Sequence, residues 1–236
     1  MKNQFDREAM LIGHEGIEKL SQKHVAVFGV GGVGSFCIEA LARAGIGRLT
    51  VIDSDVVDIT NINRQLIALH STVGMDKVKV MEQRIKDINP KAEVMAIKTF
   101  YNAETADSYD LAQYDYVVDA IDTVSAKLVL IEQAKKVNVP IISCMGTGNK
   151  FDPSRFEITD LAKTTICPLA RIMRKELRQR GINHLKVLYS TEEAVKPLFE
   201  AADPAPGRHS PGSLSFVPPV AGYMIAGEVI KELLGL

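Results

Sequence analysis

Cysteine is scarce, long apolar runs are missing, and neither sign of charge dominates. The three cysteines, Cys37, Cys144 and Cys167, stand far apart and none belongs to a CxxC pair. That spacing argues against a disulfide framework and excludes a four-cysteine zinc site within one chain. No apolar stretch reaches the roughly 18 to 20 residues that a membrane-spanning helix needs. The longest one near the end, 216–230, is interrupted by Pro218, Pro219, two glycines and Glu228. The opening MKNQFDREAMLIGHEG has no apolar signal core and no cleavage pattern, so the expectation is a soluble, cytosolic protein. The net charge of -1 carries no basic excess, and any nucleic-acid contact has to come from a local patch. Repeats and low-complexity segments are absent too.

What is present is enough for a large core. Apolar residues make up 46% of 236 residues and charged residues 24%, a composition of folded α/β proteins rather than disordered chains. Short β-branched runs, 24–28, 49–52, 116–118 and 139–143, read as strands buried on both faces. Helical spacing fills the gaps between them: 33–44, 77–88 with apolar residues at 78, 81, 85 and 88, and 124–137 with apolar residues at 124, 128, 131 and 134. This alternation predicts a doubly wound, mostly parallel, Rossmann-like α/β sheet. Beyond residue 150 the pattern changes. Residues 151–160 read as extended, 168–180 as helix, 186–189 as a strand, 201–215 as a flexible loop rich in proline and glycine, and 221–234 as a last helix. The expected organisation is one ATP-binding domain over 1–236, with a core of about 20–150 and a C-terminal substrate-binding extension of about 151–236.

Gly29-Val30-Gly31-Gly32-Val33-Gly34 lies between the first strand and the first predicted helix. Glycine permits a sharp turn and close approach to phosphate, and the helix N-terminus then offers N–H groups to the anion. Asp53 ends the second strand, where a carboxylate accepts hydrogen bonds from ribose hydroxyls. On these features alone a nicotinamide-dependent dehydrogenase would be favoured. The residues that follow turn the reading towards ATP. Arg64 and Lys77 would neutralise charge developing on phosphates, and Asp122 would hold Mg²⁺ through one carboxylate and waters. Taken singly, Arg64 reads as a surface ion pair, Lys77 as a solvated helix residue and Asp122 as a helix N-cap before Thr123. Their joint placement at the carboxyl ends of strands favours function.

The blocks GVGGVG, DSDVVDITNINRQ, GMDKVKV and DAIDTVSAK resemble those of the ubiquitin-activating-type adenylyltransferases over roughly residues 4–150. The resemblance implies nucleotide contacts from Gly29, Gly31, Gly32, Gly34, Asp53, Asp55, Asn61, Arg64, Gln65 and Lys77. It further implies catalytic roles for Arg64, Lys77 and Asp122, with Mg²⁺ on Asp122. Arg7, in DREAMLIG, matches a family arginine that reaches the ATP of a neighbouring subunit, which implies a homodimer; its bland alternative is a solvated terminus.

Further segments, GIGRLTVID, KDINPKAEV, SCMGTGNKFDPSRFEITDLAKTTICPLARIMRKEL and YSTEE, resemble the tRNA threonylcarbamoyladenosine dehydratases and extend the likeness over nearly the full length. The activity this implies is adenylation of a free carboxylate on a modified adenosine beside the anticodon, followed by intramolecular ring closure with loss of AMP. An adenylyltransferase for a ubiquitin-like sulfur carrier is the alternative, and the missing CxxC pairs count against it. A cysteine desulfurase or other sulfur-transfer system is a further partner compatible with the likeness.

Three features keep two readings each. Cys167 precedes Pro168 at a helix start, where a thiolate would be stabilised, yet a structural or capping role is preferred in the absence of a placed base. Thr147 and Asn149 follow the fifth predicted strand and would meet either the substrate or a monovalent cation. Arg171, Arg174, Lys175 and Arg178 follow i, i+3, i+4, i+7 spacing, opposite Leu169, Met173 and Leu177. That stripe would follow the tRNA phosphate backbone, or else it is an ordinary solvated helix face. Arg208, His209 and Ser210 complete the candidates as loop residues without an assigned role.

Overall fold

The structure is a computed structural model that describes residues 2–199 and 211–236. Helix α1 (Asp6–Ser21) precedes strand β1 (His24–Phe28), which leads through the glycine loop into α2 (Gly34–Arg43). Strand β2 (Arg48–Asp53), helix α3 (Lys77–Ile88) and strand β3 (Glu93–Lys98) follow, then β4 (Tyr116–Asp119), α4 (Val124–Lys136) and β5 (Ile141–Cys144). The remainder is β6 (Phe156–Asp160), α5 (Pro168–Gln179), β7 (Lys186–Ser190) and α6 (Val217–Leu234).

The strands form one seven-stranded sheet in the order β3-β2-β1-β4-β5-β7-β6. All neighbours are parallel except β6, which runs antiparallel to β7 at the edge. The doubly wound α/β fold expected from the sequence is therefore present. Strand β7 pairs directly with β5, so the C-terminal segment continues the same sheet.

Side chains alternate along β1. Val25 and Val27 enter an apolar layer with Leu20, Leu41, Met81, Ile225 and Val229, contributed by α1, α2, α3 and α6. Ala26 and Phe28 face the other layer, where Leu130 and Ile131 of α4 meet Met173 and Leu177 of α5. Each buried strand thus serves two cores, which is why its sequence is apolar throughout rather than alternating.

Strand order reverses at β1 and β4, and the crevice outside their carboxyl ends is where such sheets bind ligands. The glycine loop leaves β1 there, and Asp122 follows β4 at the same place.

Several elements differ from the sequence reading. Helix α1 and edge strand β3 were not read at all; β3 is only half-buried, so its residues lack the apolar run of its neighbours. Strand β5 begins two residues later than expected, and 153–155 form a helical turn within the stretch read as extended. Helix α6 starts at Val217, before Pro218 and Pro219, because the first turn has no N–H partners to lose. Most of the expected flexible loop, with Arg208, His209 and Ser210, lies outside the described residues. Its described end is tied down: Asn63 Nδ2 donates to Ser213 O at 2.9 Å, and Gly212 exchanges two 2.7 Å bonds with Asn149.

Candidate nucleotide site

The glycine loop is tight because its own backbone fills the space side chains would need. A Cβ on Gly34 would sit 1.8 Å from Gly29 O, and one on Gly29, whose φ is +96°, would sit 2.5 Å from Ala120 O. Only glycine fits either position. The N-terminus of α2 therefore lies against the loop, the arrangement in which helix starts bind anions.

Asp53 supports this loop from β2. Its Oδ2 accepts the Val30 N–H at 2.7 Å and its Oδ1 accepts the Asp55 N–H at 2.8 Å. Burial pushes its carboxyl above the usual range, with Lys77 and the two backbone donors pulling the other way. Each oxygen retains a second lone pair for a hydroxyl donor.

The segment after β2 folds back over the loop. Asp58 and Asn61 form a reciprocal capping box around a single helical turn, Ile59–Asn61, which commits Asn61 Oδ1 to the Asp58 N–H at 3.1 Å. Ser35 Oγ accepts the Leu66 N–H at 3.2 Å and pins the far end to α2. Arg64 is thereby laid beside Gly32, where a Cβ would meet its Cγ at 3.4 Å. Its Nη1 donates to Thr60 O at 3.0 Å and to Asn63 Oδ1 at 3.1 Å. Burial lowers its pKa, and no carboxylate hydrogen bond or ion pair to Arg64 occurs among the described residues. A half-buried guanidinium held by neutral oxygens is a site prepared for an anion. Gln65 is buried beside the same loop, and its Oε1 has no hydrogen-bond partner among the described residues.

Lys77, 5% exposed, reaches Asp55 Oδ2 at 2.8 Å. The contact is fixed by backbone pairing, since Lys77 N donates to Asp55 O at 3.1 Å at the start of α3. Lys77 is accordingly not a solvated helix residue. Asp122 does not cap α4: the cap position is Thr123, and Asp122 instead accepts the Thr123 hydroxyl at 3.2 Å and faces solvent. Among the described residues no group of three or more His, Cys, Asp or Glu side chains is arranged to hold a metal ion. A cation at Asp122 fits a site completed by phosphate oxygens and water, the usual form for Mg²⁺.

Arg7 is placed apart from these residues. It is exposed on the first turn of α1. The Phe5 ring beside it lies over Gly45, beyond the C-terminal end of α2 and thus at the opposite end of the sheet from the loop. Within one chain Arg7 cannot join the site. Asn149, with φ +56°, uses its side chain to hold Gly212.

Arg171, Arg174, Lys175 and Arg178 do share one face, lining an open groove of about 340 Å³. Arg174 differs from the others: its Nη1 donates to Leu161 O at 3.2 Å, Thr164 O at 2.7 Å and Thr164 Oγ1 at 2.8 Å. That guanidinium anchors the 161–164 turn beneath α5 while sharing the face of the other three.

All three cysteines are buried. Cys167 is the N-cap of α5, its Sγ accepting the Ala170 N–H at 3.5 Å. Burial pushes the Cys144 thiol up to about 12 and raises Cys37 further, so neither is a thiolate at neutral pH.

The sequence pattern assigns no role to Asp119, Lys127 or Ser143. These residues form a buried network under the β4–α4 connection, with Lys127 Nζ 3.0 Å from Asp119 Oδ2 and Ser143 Oγ 2.6 Å from the same oxygen. The signal was available: Lys127 shares the helical stripe of Val124, Ile131 and Ala134, and a lysine on an apolar stripe demands a buried acid.

Comparison with known proteins agrees with this geometry. The model described as the ThiF family matches residues 5–236. The tRNA threonylcarbamoyladenosine dehydratase of Bacillus subtilis is 46% identical over 99% of this chain and 96% of its own length. The Escherichia coli tRNA N6-threonylcarbamoyladenosine dehydratase in complex with ATP superposes with a TM-score of 0.88 at 34% identity, covering 98% of this chain and 94% of that one. The sulfur carrier protein adenylyltransferase of Thermus thermophilus is more distant, 27% identical over 99% of this chain and 78% of its own length. The glycine loop, the placement of Arg64 beside it and the full-length likeness lead to one conclusion: the chain belongs to the ThiF family, among its tRNA threonylcarbamoyladenosine dehydratases.

Proposed function

We propose that this chain is an ATP-dependent dehydratase acting on threonylcarbamoyladenosine in tRNA, in the cytoplasm. The threonine carboxylate attacks the α-phosphorus of ATP, pyrophosphate leaves, and an acyl-adenylate forms. A nitrogen or oxygen of the carbamoyl group then attacks the activated carbonyl, AMP departs, and a ring closes with net loss of one water. Because that attack is intramolecular, orientation supplies much of the rate. The observation that carries the reading is Arg64, held beside Gly32 by neutral oxygens and without an acid partner among the described residues.

In this reading the glycine loop and the α2 N-terminus bind phosphate, Asp53 takes the ribose, and Asn61, Gln65, Arg64 and Lys77 surround the triphosphate. Asp122 would hold Mg²⁺, which supplies charge neutralisation to the phosphates. Arg7 would serve the site of a second copy in a homodimer, which suits its position at the far end of its own sheet. Arg171, Lys175 and Arg178 would follow tRNA phosphates, with residues 151–236 serving as a substrate-binding extension of a single ATP-binding domain.

The test is incubation of the protein with ATP, magnesium and tRNA bearing threonylcarbamoyladenosine, followed by nucleoside mass spectrometry. ATP-dependent loss of one water from that nucleoside is expected. An unchanged nucleoside, with AMP released only when a ubiquitin-like carrier is added, would overturn the reading in favour of carrier activation.

A further inference from the structure

The connection that carries Asp122 is gripped from beneath by two charges that have no contact with solvent. Asp119 and Lys127 both have 0% exposed side chains and lie 3.0 Å apart. Removing two ions from water costs several kcal/mol each, and an apolar pair of similar size is often at least as stable. Stability alone therefore gives no reason for this pair. What it does, and methyl groups would not, is hold both polar ends of the residue before Asp122. The Ile121 N–H donates to Asp119 Oδ1 at 3.2 Å, and the Ile121 carbonyl accepts Lys127 Nζ at 3.0 Å. Ser143 on β5 locks the acid by donating to Asp119 Oδ2 at 2.6 Å. With its N–H and its C=O both bonded, Ile121 is restrained, and so is the peptide plane from which Asp122 departs. The same connection abuts the phosphate loop, where Ala120 O lies against Gly29.

We infer that Asp119 and Lys127, secured by Ser143, are positioning residues that aim the Asp122 carboxylate at the cation accompanying ATP. The inference rests on the reading of Asp122 as the magnesium carboxylate. Outer partners of metal ligands typically govern affinity by about 10- to 100-fold.

The test measures Mn²⁺ affinity by electron paramagnetic resonance in the presence of an unhydrolysable ATP analogue, alongside metal-free affinity for the analogue and thermal melting. Lys127→Met removes the charge at similar length, and Ser143→Ala loosens Asp119 while leaving the ion pair. Lys127→Met should bind Mn²⁺ about tenfold more weakly and Ser143→Ala severalfold more weakly, with metal-free analogue binding unchanged. A merely structural role would lower the melting temperature and leave Mn²⁺ affinity alone. Wild-type Mn²⁺ affinity in both variants, with weakened affinity in Asp122→Ala, would overturn the inference and leave the Asp122 reading standing. Wild-type affinity in Asp122→Ala would overturn both. Should Lys127→Met fail to fold, Ser143→Ala decides alone by the same criterion.

Discussion

Cations are held in two opposite ways in two regions of this molecule. Around β1 and β4 they are withdrawn from water: Lys77 is 5% exposed and Lys127 is not exposed at all. On α5, Arg171, Lys175 and Arg178 stand in solvent along an open groove. A charge in a low-dielectric setting acts strongly over a short range and in a fixed direction, as a small anion with a reacting phosphorus requires. Charges in solvent act collectively, are screened by salt, and suit a long polyanion whose exact register matters less. Arg174 marks the border: it belongs to α5 by sequence, but its carbonyl partners make it part of the scaffold.

The difference can be broken most severely on the buried side. Arg64→Ala and Asp122→Ala should each lower the rate of AMP formation by about 1,000-fold, measured by nucleotide chromatography, with unchanged melting curves. Near-normal turnover in either would remove the site assignment. Next in size is Gly34→Ala, whose added methyl meets Gly29 O at 1.8 Å. A destabilisation of about 3 kcal/mol in denaturant titrations is expected, because backbone rather than a flexible side chain must move.

On the exposed side, Arg171→Glu combined with Arg178→Glu should weaken tRNA binding roughly 10- to 100-fold and flatten its salt dependence by about two counterions, while sparing ATP affinity. Equal loss of ATP binding would show that the two sides are not independent. Arg174→Ala should behave differently from its neighbours, with a stability loss of about 1 to 2 kcal/mol as its main effect, because buried carbonyls lose a charged donor.

The smallest predicted effect is a pH dependence. Burial raises the pKa of Asp53, so its carboxylate takes up a proton at a higher pH than an ordinary aspartate. Ribose hydroxyls donate best to the ionised form, so ATP affinity should begin to fall, as pH is lowered, earlier than a normal Asp would dictate. Asp53→Asn should abolish that part of the profile in a binding titration. For folding the sign is opposite: a raised carboxyl pKa means that the native state binds the extra proton, so this group's contribution to stability declines as pH rises through that window.

Legibility in the sequence followed the range of each interaction. Helix α3 has the bounds expected from its apolar spacing, 77–88, and the glycine loop lies between strand and helix as its motif required. Both are local patterns. Edge strand β3 and helix α1 escaped notice because β3 is half-buried and α1 exposes Met10 and Leu11, so neither shows the period of an ordinary core element. The pairing of Asp119 with Lys127 escaped for another reason: their eight-residue separation brings them together only after a strand ends and a helix turns back over it.

By itself, the sequence determined the doubly wound alternation, the phosphate loop and the family resemblance, because these depend on residue type at fixed local spacing. Tertiary structure alone decided which charges lose water. It buried Lys77 against Asp55, turned Arg174 inward to the 161–164 turn, and carried Arg7 to the far end of its own sheet. The physical reason is that solvation is a property of what packs around a side chain, and those neighbours come from elements remote in the chain.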